Sequence, residues 1–159
     1  MIEFIIGIVA SGIRMSTPSL LAALGENIAE RSGVLNLGIE GMMLIGAFAG
    51  FIGTFVTGNV IVGILFAIAG PMVMAALMAF LSVSLRTNQL VAGLAIWLLG
   101  VGLSALLYRL TFGVVTVAPT VPTIPLVDIP FLSSIPILGP IIFHHDAMIY
   151  LAFLLIPLT

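Results

Sequence analysis

The chain has 159 residues, 62% of them hydrophobic and only 6% charged, with a formal net charge of −2. A soluble domain carries roughly a quarter of its residues as Asp, Glu, Lys and Arg, so this composition, with a mean hydropathy of +1.39, belongs in a bilayer. The absence of lysine excludes a Walker A phosphate loop, the negative balance leaves nucleic-acid binding without an electrostatic basis, and the absence of cysteine removes disulfide, thiol and iron–sulfur chemistry.

The N-terminal run IEFIIGIVASGI (2–13) is apolar and ends at Arg14. Ala10-Ser11-Gly12 mimics a signal-peptidase site, but Glu3 precedes the apolar run and no positive charge does, so the segment reads as mature sequence. Thr17-Pro18 has the form of a helix start, with Thr17 as N-cap and Pro18 in the first turn. A helix over 18–30 would be only about 20 Å long at 1.5 Å per residue, too short to cross an apolar core of about 30 Å alone. A bent pair covering residues 3–30 is the expectation.

Residues 25–41, GENIAERSGVLNLGIEG, hold Glu26, Glu30, Arg31 and Glu40 between two long apolar runs. Lipid offers no partners for the backbone of such a polar, glycine-broken stretch. The expectation is a turn over 25–32, feeding an interrupted helix at 33–41 in which Gly33, Gly38 and Gly41 permit the break. Gly33, Asn36 and Glu40 share a face if the stretch is helical. If a helix begins near Asn36 instead, that side chain can cap it and Glu40 lies at the positive end of the helix dipole. Discontinuous membrane helices use such ends to hold solutes, and a carboxylate inside a membrane suggests function. Three roles stay open for Asn36 and Glu40: direct solute contact on a translocation path, support of the broken backbone, or a titrating proton site at Glu40.

A span over 37–56 follows. Its Gly46, Gly50 and Gly53 share one helix face, and Gly46-x-x-x-Gly50 allows another helix to approach closely. Thr57-Gly58-Asn59 reads as a turn. The run 60–85 is long enough to span, with Gly63, Ala67 and Gly70 on one face and a kink expected at Pro71. Arg86-Thr87-Asn88-Gln89 forms a polar loop, and 90–110 makes the next span with Tyr108-Arg109 as an interfacial anchor. Six of the nine prolines fall within 111–145, and Pro119, Pro122 and Pro125 repeat every third residue. Apolar surroundings without basic residues argue against an SH3 ligand and for a stiff excursion on the outer membrane face. The last run, 147–159, is a span that stops without a polar end. Placing Arg31 and Arg86 on the cytoplasmic side puts the proline-rich segment and the N-terminus outside.

Other constellations carry little chemistry. His144-His145-Asp146 lacks the further ligands a metal site requires, so no metal and no cofactor is expected. Ser11, Ser16 and Ser32 have no His–Asp companions for nucleophilic catalysis. No catalytic residue is expected.

The run TPSLLAALGENIAERSGVLNLGIEGMMLIGAFAGF resembles the N-terminal signature of permease subunits of bacterial ABC importers, simple-sugar and nucleoside branch, more distantly the ribose and branched-chain amino-acid permeases. QLVAGLAIWLLGVGLSALLYR and IPILGPIIFHHDAMIYLAFLLIP resemble the same branch, so the likeness covers nearly the whole chain. It implies an all-α, polytopic helical bundle in the bacterial cytoplasmic membrane, one part of a longer permease that is not itself an enzyme. It also implies partners: a second permease subunit, identical or different, two cytoplasmic ATPase subunits that hydrolyse ATP, and an external solute-binding lipoprotein. The solute would be a nucleoside or simple sugar. Ile96-Trp97 departs from the branch, where a small polar residue is expected. The competing expectation from the residues alone is an ion-coupled secondary transporter in which Glu40 titrates.

Overall fold

The computed structural model describes residues 1–114, 117, 119–128 and 141–158. Expectations that fall on 115, 116, 118, 129–140 and Thr159, including much of the proline-rich excursion and the last residue of the final run, lie outside the described residues. The chain forms two compact units, one built from 1–28 with 124–159 and the other from 29–123.

The first helix, α1 (Ile2–Arg31), has 30 residues, about 45 Å of helix. Two expectations are corrected here. Thr17-Pro18 does not start a helix, because α1 runs through it without interruption. The buried Thr17 turns its hydroxyl back to the Ile13 carbonyl at 2.8 Å instead of capping forward, a local bond open to a mid-helix threonine. Residues 25–31 are likewise the last turns of α1 rather than part of a turn. Their Glu, Ala, Ile and Arg side chains favour helix, and polarity alone does not make a loop.

In the unit 29–123, α2 (Ile39–Thr57), α3 (Val60–Ala79) and α4 (Gln89–Phe112) pack together. Small residues bring α2 against α3. A Cβ added to Gly46 would lie 2.8 Å from Pro71 Cγ, one on Gly50 2.9 Å from Ala67 Cβ, and one on Gly53 2.9 Å from Phe66 Cβ. As the α2 number rises its partner's number falls, so the two helices are antiparallel and the expected glycine face is the contact. Such packing replaces the hydrophobic effect, which supplies no drive between helices in lipid. α2 ends at Gly58, whose φ of +67° lets its N–H reach the Thr54 carbonyl, and Asn59 caps α3 by accepting from Ile61 N–H at 2.8 Å.

α3 stays helical across Pro71 and closes in a wider π turn, Phe80–Ser84, where Leu85 N–H reaches the Phe80 carbonyl. Thr87 returns its N–H and hydroxyl to the Leu81 carbonyl, and Asn88 caps α4 by accepting from Leu90 N–H at 2.9 Å. α4 runs parallel to α2. Gly41 faces Gly100 near the start of α2, and Phe51 and Phe55 meet Phe112 near its end, at ring separations of 5.6 and 5.1 Å. The core between the three helices is Met42, Ile45, Met74, Met78, Ala92 and Ile96.

The unit of 1–28 and 124–159 carries a feature without a clear sequence signal. Two three-residue strands, β1 (Leu126–Asp128) and β2 (His144–Asp146), pair antiparallel with Val127 opposite His145. β2 leads into α5 (Ala147–Leu155), continued by a tight 3-10 turn, Ile156–Leu158. Asp146 caps α5, its Oδ1 accepting from Met148 and Ile149 N–H at 3.0 and 3.2 Å.

Among the described residues, four helices are long and apolar enough to cross a membrane: α1, α2, Val60–Ser84 and α4. Their outward faces carry large apolar side chains such as Val73, 71% exposed, and Leu98, 62% exposed. The architecture is that of a helical, multi-pass membrane protein.

Candidate functional site

Between α1 and α2 the chain leaves helix for residues 32–38. The departure has a defined chemistry. Gly33 takes φ +83°, its N–H bonds the Glu30 carbonyl at 2.9 Å, and Val34 N–H bonds the Ala29 carbonyl at 3.2 Å. Those two bonds make a Schellman motif with Gly33 at the left-handed position after the helix. Ser32 adds its hydroxyl to the Ala29 carbonyl at 2.6 Å.

At the other end Gly38 occupies the N-cap position of α2. Asn36 Oδ1 accepts from Gly38 N–H at 3.0 Å, and its Nδ2 lies 3.6 Å from Met42 Sδ. This Asx turn ends on the cap residue, with Asn36 two positions ahead of it, so α2 starts at Ile39 beyond Asn36 and the Asn36 side chain braces the approach to the helix without capping it. Glu40 sits exposed in the first turn of α2, where the helix dipole favours a negative charge. Asn36 and Glu40 therefore differ in kind: one is tied into the backbone of the break, the other is displayed.

One face of α4 receives the whole segment. Gln89 Oε1 accepts from Leu35 N–H at 2.9 Å and Gln89 Nε2 donates to the Gly33 carbonyl at 3.2 Å. One turn on, a Cβ at Gly93 would meet Leu37 Cβ at 2.9 Å, and a Cβ at Gly38 would meet Ile96 Cγ2 at 2.7 Å. Gly41 packs on the Trp97 backbone, and Gly100 on the Gly41 carbonyl. Residues 89, 93, 96 and 100 follow the spacing of one helix face. The expected helix-break glycines thus take three positions: Gly33 ends α1, Gly38 begins α2, and Gly41 lies inside α2, packed on the α4 backbone. Ile96 is 1% exposed and fills the space beside Gly38.

Sequence reading missed Gln89, assigning it to a polar loop, and did not connect Gly93 and Gly100 with the break. The seven-residue spacing of those two glycines was the one available signal. Farther along, an open groove of about 650 Å³ lies between α2 and α4, lined by Leu44, Phe48, Phe51, Ser104, Tyr108 and Arg109. Among the described residues no group of three or more His, Cys, Asp or Glu gathers to hold a metal ion. His145 is fully enclosed, with Nε2 at 2.7 Å from the Ile141 carbonyl.

The family described as branched-chain amino acid transport system, permease component, matches residues 8–158. Among curated relatives, a putative glucose ABC transporter permease of Haloferax volcanii is 41% identical over 161 residues, covering 99% of this chain and 47% of the relative. A guanosine ABC transporter permease of Bacillus subtilis is 32% identical over 86% of this chain and 44% of its own length. A nucleoside ABC transporter permease of Lactococcus lactis subsp. cremoris is 30% identical over 89% of this chain and 46% of its own. The chain spans slightly under half the length of these relatives. No solved structure matches it. With the match running through α1 to the end of the described chain, the protein belongs to this permease family, among its sugar- and nucleoside-type ABC permeases.

Proposed function

We propose that this chain forms part of the translocation path of an ATP-binding-cassette importer for a small polar solute, a nucleoside or simple sugar, in the cytoplasmic membrane. The observation that carries this reading is the interruption at 32–38, a non-helical backbone between two membrane-length helices, with the Glu40 carboxylate exposed beside it. Irregular backbone at such a place is tolerated where it is buried in protein or lines a watery cavity, and the helix ends that flank it offer a dipole and freed backbone groups to a solute. Asn36 shapes the break and Glu40 meets the solute or its water. ATP is hydrolysed on separate cytoplasmic subunits, a second permease subunit completes the path, and an external binding lipoprotein delivers the solute.

Orientation follows the same logic. Gln89, three residues after Arg86, binds Gly33, two residues after Arg31, so both arginines lie at one end of the unit 29–123. That end is cytoplasmic by the positive-inside rule, and Tyr108 and Arg109 anchor the other.

The test is uptake by the assembled, full-length importer in vesicles supplied with ATP. Glu40→Gln and Asn36→Ala lower uptake at unchanged amounts of complex, and an ionophore has no effect while ATP is maintained. Collapse of uptake with the ionophore would instead identify the ion-coupled alternative with Glu40 titrating. Unchanged uptake in both variants would remove the interrupted segment from the path.

A further inference from the structure

We propose that Gln89 is a positioning residue for transport, holding the interrupted segment in one register on α4 so that Asn36 and Glu40 are presented correctly. The inference rests on the reading of that segment as part of the path.

Residues 33–35 have left α1 and have not entered α2, so helix geometry supplies no partner for the Leu35 N–H or the Gly33 carbonyl. Both go to one side chain more than fifty residues away in sequence, with Leu35 N–H to Oε1 at 2.9 Å and Nε2 to the Gly33 carbonyl at 3.2 Å. A primary amide offers a donor and an acceptor side by side, as a neighbouring strand would. Glutamate can only accept, and lysine or arginine can only donate. Asparagine has the same groups on a shorter stem. Both bonds lie at the exposed end of the unit, so what they supply is a fixed register for residues 33–35.

The contacts below the amide agree with it in register. Leu37 rests on Gly93, Gly38 on Ile96, and Gly41 on Trp97 and Gly100. A slip of one residue along α4 would break both amide bonds and drive side chains into the space that Gly93 and Gly41 leave empty. Asn36 lies between the amide bonds and the Gly93 contact, and Glu40 lies between the Ile96 and Gly100 contacts. The two path residues therefore move with α4, and a displacement of α4 during a transport cycle is passed to them directly. Asn88 fixes Gln89 in turn by capping the helix at the preceding position.

The chain contains no cysteine, so a single reporter can be read cleanly. Leu35→Cys keeps the backbone N–H and places a thiol on the strapped segment, outside the residues assigned to the solute. In the assembled full-length importer with cysteine-free partners, N-ethylmaleimide labelling is followed alongside uptake kinetics. Gln89→Ala is expected to raise the labelling rate about thirtyfold, the scale of two lost hydrogen bonds, and to raise KM while the amount of complex in the membrane holds. Gln89→Glu, which keeps only the acceptor, falls between, and it carries the comparison if Gln89→Ala fails to assemble. Labelling and KM equal to the parent in either assembled variant overturn the proposal. Faster labelling with an unchanged KM reduces Gln89 to a structural strap and overturns its role in transport. The underlying path reading fails separately, when Asn36→Ala and Glu40→Gln transport normally whatever the thiol reports.

Discussion

Gly41 lies directly on the backbone of Trp97, so closely that a Cβ on Gly41 would fall 2.8 Å from both the Trp97 Cα and its carbonyl oxygen. Backbone cannot swing aside as a side-chain tip can. Gly41→Ala must therefore push α2 and α4 apart next to the interrupted segment, at a cost of about 1–3 kcal/mol for overpacking. Thermal inactivation of the detergent-solubilised importer should occur at a clearly lower temperature. Gly12→Ala is the control, because nothing lies within 4 Å of a Cβ there. Its midpoint should be unchanged or raised, since alanine is the better helix former.

Asn36 and Glu40 should separate in a measurement of local order. Asn36→Ala removes the acceptor of the 3.0 Å bond from Gly38 N–H, worth about 1 kcal/mol. Backbone amide exchange in residues 36–40 should then quicken about fivefold, and uptake should fall with it. Asn36→Asp keeps the acceptor and should keep the slow exchange. Glu40 is exposed in the first turn of α2 and holds no turn together, so Glu40→Gln should lower uptake while exchange stays at the parental rate. An exchange rate that rises equally in both variants would contradict this division of roles.

These contacts mark what could and could not be read from the residues alone. The α2–α3 interface was legible because Gly46, Gly50 and Gly53 recur at helical spacing, and recurrence on one face is a local property. Asn36 was legible only as a residue near a helix start: the cap itself falls on Gly38, and the asparagine forms an Asx turn onto it. The Gln89 strap was not, since it joins residues 54 and 56 positions apart and an isolated glutamine in a polar loop carries no sign of its partner. The continuity of α1 was misread at two points. Proline removes one backbone bond without preventing helix on both sides, and 25–31 is polar but made mostly of helix-favouring residues. The β1–β2 pairing was illegible because two three-residue strands show no alternation. Among the described residues, the helices long and apolar enough to cross a membrane follow the apolar runs of the sequence.

The turn out of α1 should tolerate only residues that accept a left-handed backbone. Gly33 has φ +83° and open space where a Cβ would lie, so any penalty there comes from the backbone. Gly33→Asn should cost little, because asparagine visits this region, whereas Gly33→Val should cost about 1–2 kcal/mol and loosen the Schellman bonds to Ala29 and Glu30. Proteolytic nicking within 32–38 of the purified complex distinguishes the two. Valine should accelerate it, and asparagine should leave it near the parental rate.

Tyr150 ties the short strand pair to the helix that follows it. Its hydroxyl donates to the Val127 carbonyl at 3.1 Å and accepts from His145 N–H at 3.3 Å, so it bridges residues that face each other across β1 and β2. Tyr150→Phe keeps the ring and removes both bonds, at about 1 kcal/mol each. Asp146→Ala acts at the same junction by another route, uncapping α5 at a cost of about 1 kcal/mol. Both variants should speed amide exchange at 126–128 and 144–146, and Asp146→Asn, which retains an accepting oxygen, should not. Asp146→Ala should in addition speed exchange at Met148 and Ile149, whose N–H groups the carboxylate holds, while Tyr150→Phe should leave those two amides slow. The opposite pattern, with the strands unaffected by Tyr150→Phe, would mean that the ladder bonds hold the strand pair without the hydroxyl.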